Sequence, residues 1–355
     1  MTIPTEPIGS IPRPAALLTA MRSFAAGTIT GEALETAYSD AVRDTLARFE
    51  ATGSPMVTDG EQRKSSFATY PLDGIDNLAP GGVVIPFKDG HTRQLPQLTK
   101  GPFRYGRKAG EFTRLAKPLT TKPFKQAVIS ASALSLLYPA AEIDRYPREI
   151  FLSDLVGEAE ADIRSAFDAG ADVVQIDFTE GRLSLKLDPS GDLLRSFVTL
   201  NNRVLERFSA EERRRIGVHV CPGGDRDSTH SADVAYTALL PDLFAMKVGR
   251  FYLQMASEPD RRPVLRLISQ LARPEQRIFI GVVDPISPAV ETPQQVRDRV
   301  LEAAFFIPPE SQLGTTDDCG FSPFADDTST ARDVAFAKID ARIKGTALAA
   351  EQLGV

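Results

Sequence analysis

DLVGEAEADIRSAFDAGADVVQIDF, residues 154–178, decides the fold. Its first part repeats apolar residues at helical spacing, with Leu155, Val156, Ala159, Ile163, Ala166 and Phe167 on one face. Asp168-Ala169-Gly170 closes that helix with the expected glycine. VVQIDF (173–178) then runs apolar without alternation, as a parallel strand covered on both faces must. A helix that feeds such a strand through a short turn is half of a repeating α/β unit.

The same unit recurs on either side. Apolar, β-branched runs stand at MVTDGE (56–61), AVISAS (127–132), IGVHVC (216–221), FYLQMA (251–256) and IFIGVVD (278–284). Helical patterns lie between and after them, at Leu193–Phe208, Pro263–Ala272, Thr292–Phe306 and Thr330–Gly345. Ile8-Gly9-Ser10 at the front and Leu313–Cys319 near the end bring the strands to eight. Length and repeat count favour a (β/α)8 TIM barrel over an open doubly wound sheet. Residues 1–355 are expected to form one catalytic barrel domain, interrupted after the second strand by a Pro/Gly-rich insertion at about 71–123.

The 355 residues carry 41 Lys+Arg and 47 Asp+Glu, a formal charge of −6, with 42% hydrophobic content. That apolar content excludes disorder, and the acidic balance argues against nucleic acid as a partner. No apolar run is long enough to span a membrane. MTIPTEPIGSIPRP lacks the charged and apolar regions of a secretory signal, so a cytoplasmic location is expected. Charge is uneven, however. Residues 86–125 hold ten Lys/Arg against Asp89 and Glu111, with Phe87, Phe103, Tyr105, Phe112 and Phe124 interleaved. The segment reads either as an anion-attracting arm beside the site or as a hairpin that caps the barrel or contacts another subunit.

The sharpest chemical feature is His219-Val220-Cys221 with Cys319. Residues i and i+2 of a strand face one way, so His219 and Cys221 project together. Cys319 sits at the end of the eighth strand, and strand ends of a barrel converge on one mouth. One imidazole and two thiolates suit zinc, and three protein ligands leave one position open for chemistry. The competing reading is that both cysteines are small buried apolar residues. His91 and His230 lack such partners and read as structural or solvated, His230 at the start of a helix. Asp59, Glu61 and Asp177 also close strands, where they can bind an ammonium group or move protons, or pair with Arg63, Lys64 or Arg182.

Ile8-Gly9-Ser10, Asp59-Gly60-Glu61, Gln175-Ile176-Asp177, His219-Val220-Cys221 and Asp318-Cys319-Gly320 occur in this order. Together they resemble the catalytic barrel of cobalamin-independent methionine synthases, including the short archaeal form, over about residues 8–345. The resemblance implies a (β/α)8 barrel with His219, Cys221 and Cys319 as zinc ligands. It implies that Ile8, Ser10, Glu61 and Asp177 bind the amino-acid part of homocysteine, and that a small-molecule alkyl donor, a methylated folate, supplies the methyl group.

Three departures stand out. Gln254 occupies the position of the family's glutamate ligand, with Glu258 four residues on. A neutral fourth ligand would make the site less negative, lower the thiol's pKa and blunt its nucleophilicity. No counterpart of the second, N-terminal barrel of the folate-polyglutamate enzymes is expected. Phe178-Thr179-Glu180-Gly181-Arg182 stands where the family carries Glu-Pro, so Glu180 and Arg182 are expected to reshape the pocket. These departures keep other readings open. One is opening of an epoxide by a thiol, as in the related epoxyalkane:coenzyme M transferases. Others are a zinc-free lyase resembling uroporphyrinogen decarboxylase and a non-catalytic thiol binder.

Overall fold

The computed structural model describes residues 3–355. Six parallel strands form its central sheet: β1 Lys125–Ile129, β2 Val173–Asp177, β3 Ile216–Val220, β4 Arg250–Leu253, β5 Arg277–Val283 and β6 Leu313–Asp317. They are hydrogen-bonded in chain order. β1, β2, β3 and β6 are buried along their whole length, as the unbroken apolar runs require.

Two shorter extended segments close the ring. Thr5 bridges Thr315 of β6, and Val57 bridges Phe124 beside β1. The Ile11 N–H donates to Gly60 O at 3.0 Å, which joins the two segments. All eight expected strand positions are thus occupied in a (β/α)8 barrel, but the first lies at Thr5 rather than at Ile8-Gly9-Ser10. Prolines at 4 and 7 flank that single bridge and shorten it, because a proline has no N–H to give a ladder.

Helices cover the outside. The opening sequence unit folds as helix Arg148–Asp168 and strand β2, with Gly170 at φ 102° in the turn between them. Helix Pro293–Ala304 follows β5 and begins where the sequence predicts. Thr292 Oγ1 accepts from the Gln295 N–H, and the Gln295 side chain accepts from the Thr292 N–H, satisfying two free donors of the first turn. The main core lies between strands and helices, while Ile8, Tyr252 and Phe279 form a separate small cluster. Among the described residues no helix is long and apolar enough to cross a membrane.

Residues 71–123, the Pro/Gly-rich insertion, have secondary structure of their own. They hold two antiparallel strand pairs, Leu78–Ala79 with Gln97–Leu98 and Val84–Pro86 with Thr92–Gln94, and also helix Ala109–Ala116. Several of these cations are held in ion pairs within the fold. Arg93 is paired with Asp225 and Asp326, Arg104 with Asp154, Lys108 with Glu158 and Lys117 with Asp172. Their counterions lie up to hundreds of residues away, so a local charge count misses them.

Candidate active site

The eight strand positions deliver their following residues to one mouth. A cavity of about 330 Å³ opens there, and Ile8, Ser10, Glu61, Asp177, His219 and Cys319 all line it. Cys221 lies beneath, fully buried. β2 and β3 pair so that Asp177 stands opposite His219, which sets the carboxylate beside the imidazole. Gly320 lets Ser10 come close, since a Cβ there would lie 2.1 Å from Ser10 Oγ. Glu61 is held in the left-handed region at φ 55°, costly for a residue with a Cβ. The Asp59 carboxylate accepts the Glu61 N–H at 2.9 Å and helps to fix that turn.

His219, Cys221 and Cys319 bring their ligand atoms within 4.8 Å of one another. The two sulfurs lie 3.2 Å apart. Both ring nitrogens of His219 are buried and have no hydrogen-bond partner among the described residues. A buried imidazole without a partner is expensive, and two thiols this close resist ionising together. The Cys319 thiol is pushed well up, first by its hydrogen bond with Cys221 and then by burial. A divalent cation at this point answers both problems, so the residues fit zinc. Gln254 is engaged elsewhere: its Oε1 accepts from Arg182 Nη1 at 2.6 Å and its Nε2 donates to Ser257 Oγ at 2.7 Å. Glu258 lies 3.7 Å from the same guanidinium.

The carboxylates around the cavity are unequal. Glu61 pairs with Lys64 at 2.9 Å, as the ion-pair reading of the sequence foresaw, and still faces the cavity. Burial pulls the Lys64 ammonium down, but Glu61 and Asp59 outweigh it and the net shift is upward. Asp177 takes a hydrogen bond from Gln175 Nε2 at 2.7 Å. Burial drives its carboxyl up to about 6; His219 opposes that rise and Glu61 adds to it.

For Glu180 the sequence offered only a reshaping of the pocket, and the structure shows more. It opens helix Glu180–Leu187 directly after β2 and lines the cavity. Its Oε1 accepts from Ser130 Oγ at 2.5 Å and from Ser132 Oγ, while Oε2 has no partner among the described residues. Burial raises its carboxyl to about 7, although both hydroxyls pull the other way.

His230 corrects the sequence reading. It follows the hairpin Gly224–Asp225/Ser228–Thr229, well before helix Tyr236–Leu243, and it is buried against the cavity. Gly223, at φ 72°, makes room for it, because a Cβ there would lie 1.7 Å from Nε2. Burial, then Lys186 and Arg182, push its pKa down to about 4, so it is neutral at pH 7. His91 stacks on Phe87 and sits between Asp89 and Asp225. Ile85, Phe87, Arg93 and Leu95 of the insertion line the cavity as well, so the hairpin does cap the barrel.

A closed α/β barrel with a His/Cys/Cys set and carboxylates at its strand ends defines the class, and sequence comparison agrees. The chain belongs to the family described as cobalamin-independent synthase, catalytic domain, whose profile matches residues 3–335. Curated relatives include proteins named methionine synthase. The one from Saccharolobus islandicus (strain Y.G.57.14) is 23% identical over 351 residues, covering 99% of this chain and 96% of its own. That from Sulfurisphaera tokodaii is 23% identical over 354 residues, covering 99% and 94%. Among solved structures, a B12-independent methionine synthase from Shewanella sp. W3-18-1, in complex with selenomethionine, superposes with a TM-score of 0.78 at 20% identity over 99% of both chains. A putative B12-independent methionine synthase from Listeria monocytogenes superposes with a TM-score of 0.74 at 20% identity over 98% of both. At these identities the structural likeness speaks for the fold.

Proposed function

We propose that this chain is a zinc-dependent thiol alkyltransferase that methylates the sulfur of homocysteine. The observation that carries the reading is the buried, unpartnered His219 imidazole beside two thiols at the edge of an open cavity. The relatives' name supports the choice of thiol. So does the selenomethionine in the Shewanella structure, which is the selenium analogue of S-methylated homocysteine.

In this reading His219, Cys221 and Cys319 hold the metal. Bound zinc supplies a Lewis acid that favours the thiolate form of a ligated thiol at neutral pH. With Gln254 committed to Arg182 and Ser257, His219, Cys221 and Cys319 would be the protein's ligands and would leave a position open to the substrate. Glu61 and Asp177 receive its ammonium group, flanked by Ile8 and Ser10. The Glu61 carboxylate lines the cavity with Lys64 as its counterion at 2.9 Å. Phe67, Ile129, Leu183 and Phe324 wall the cavity and keep water from competing for the electrophilic carbon. The donor is assigned as a methylated folate. Gln254 also favours a second reading, thiol addition to an activated electrophile such as an epoxide, because a neutral residue there leaves the thiolate less nucleophilic.

The test is metal content followed by turnover. About one zinc per chain, and methionine formed from homocysteine with a methylated folate, are expected. Failure to take up zinc would overturn the metal site. Zinc uptake with an epoxide consumed and no methionine formed would select the second reading.

A further inference from the structure

We propose that Glu180 is the general acid of the transfer step, delivering a proton from Oε2 to the nitrogen of an N-methylated amine donor as the carbon–nitrogen bond breaks. This rests on the thiol-methylation reading above.

Ser130 Oγ accepts the Ala133 N–H at 3.1 Å, and Ser132 Oγ accepts from Asn201 Nδ2 at 2.7 Å. Each hydroxyl has one proton to give, and each lies closest to Glu180 Oε1. The 3.3 Å contact between the two serines is the longer alternative. Oε1 therefore accepts twice and has no need of its own proton. Any proton on this carboxyl belongs on Oε2, which is buried, has no partner among the described residues and belongs to a residue lining the cavity. Asp177 acts on it through its charge and favours the protonated form. Arg182, on the same helix, turns its guanidinium to Gln254 and to Val234 O instead. A carboxyl that titrates close to neutrality is well matched to proton transfer at physiological pH.

The step balances. The thiolate sulfur supplies the pair for the new S–C bond. The C–N bonding pair moves to nitrogen, and the Oε2 proton joins it there. The two serine hydroxyls stabilise the carboxylate left behind. The proton that the thiol lost on ionising equals the one Glu180 regains from solvent. An amine is a poor leaving group without that proton, whereas a halide needs none.

The experiment compares two donors on zinc-loaded protein with homocysteine: 5-methyltetrahydrofolate, an N-methyl amine, and methyl iodide. In E180Q the ratio of the folate rate to the iodide rate should fall by about 10²-fold or more. An unchanged ratio would overturn the proposal, since a purely structural lesion slows both donors alike. Wild-type protein that accepts methyl iodide but not the folate would also overturn it while leaving thiol alkylation intact. Wild-type protein that accepts neither would overturn both readings. As a second readout, kcat/KM with the folate should fall as pH rises through the Glu180 titration. In S132A, which removes a hydrogen bond to the ionised form, that fall should move to higher pH. A fall that stays in place would count against Glu180.

Discussion

Glu6, Lys125, Asp317 and Arg342 are buried together within the barrel with Arg250 half-buried beside them, and Glu61, Asp177, Glu180 and His219 are buried at its mouth; the two groups are balanced in different ways. In the first, the protein supplies its own counterions. Arg250 Nη1 meets Glu6 Oε1 at 2.6 Å, and Arg342 Nη1 meets Asp317 Oδ2 at 2.8 Å. Tyr252 donates to Glu6 Oε2 at 2.5 Å, and Lys125 sits 3.8 Å over the Tyr252 ring. At the mouth only Glu61 has a cation of its own, Lys64. Asp177 is held by a neutral amide and Glu180 by two hydroxyls, while His219 is held by nothing among the described residues. Burial alone therefore does not separate architecture from chemistry. The separation lies in whether the compensating charge comes from within the chain or is left to a ligand.

The largest effect expected from this contrast is on stability. Arg342→Ala strands the Asp317 carboxylate in the interior, and denaturant unfolding should show a loss of about 3–5 kcal/mol. The folded fraction should take up zinc as before. A loss below about 1 kcal/mol would mean the inner group is not held by its ion pairs.

Cys319→Ser should do the reverse. Zinc affinity should drop by more than the roughly 10–100-fold typical of losing an outer-shell partner. The unfolding midpoint of the metal-free protein should barely move. A chain that fails to fold without this thiol would make the mouth cluster architectural after all.

The smallest effect, read per pH unit, concerns Lys125. Burial pulls its ammonium down to about 7, against the partial help of Glu6. The unfolded chain keeps its proton up to about 10.5, so between these values the unfolded state binds more protons. Stability should therefore rise with pH across that window, by at most about 1.4 kcal/mol per unit from this group. Lys125→Met should flatten that rise. An unaltered slope would place its origin in another residue.

The barrel was readable because its signals are local. VVQIDF and its sister runs announce buried strands, and Asp168-Ala169-Gly170 announces a helix end. The set His219, Cys221 and Cys319 was readable because strand periodicity and the convergence of strand ends fix where those side chains go. What escaped depended on contacts distant in sequence. The cations of 86–125 looked unbalanced until Asp154, Asp172, Asp225 and Asp326 met them. His230 looked like a helix start because the turn of the hairpin before it is made by Arg226 and Asp227, both at positive φ, where a glycine would have announced it. Glu180 was visible only as a departure from Glu-Pro. Its role depends on Ser130 and Ser132, which reach it from the end of a neighbouring strand.

Closure of the ring has a consequence for biosynthesis. The Ile8 N–H reaches Asp317 across 309 positions of sequence, and Thr5 bridges Thr315. While the chain is being made, β1 to β3 and their helices can pair as they emerge, but the opening segment waits for β6. Cys319 and the wall that holds Ser10 arrive at the same late moment. A nascent chain can thus own most of its hydrophobic core and still have no pocket, whose completion is deferred until about nine-tenths of these residues have been made.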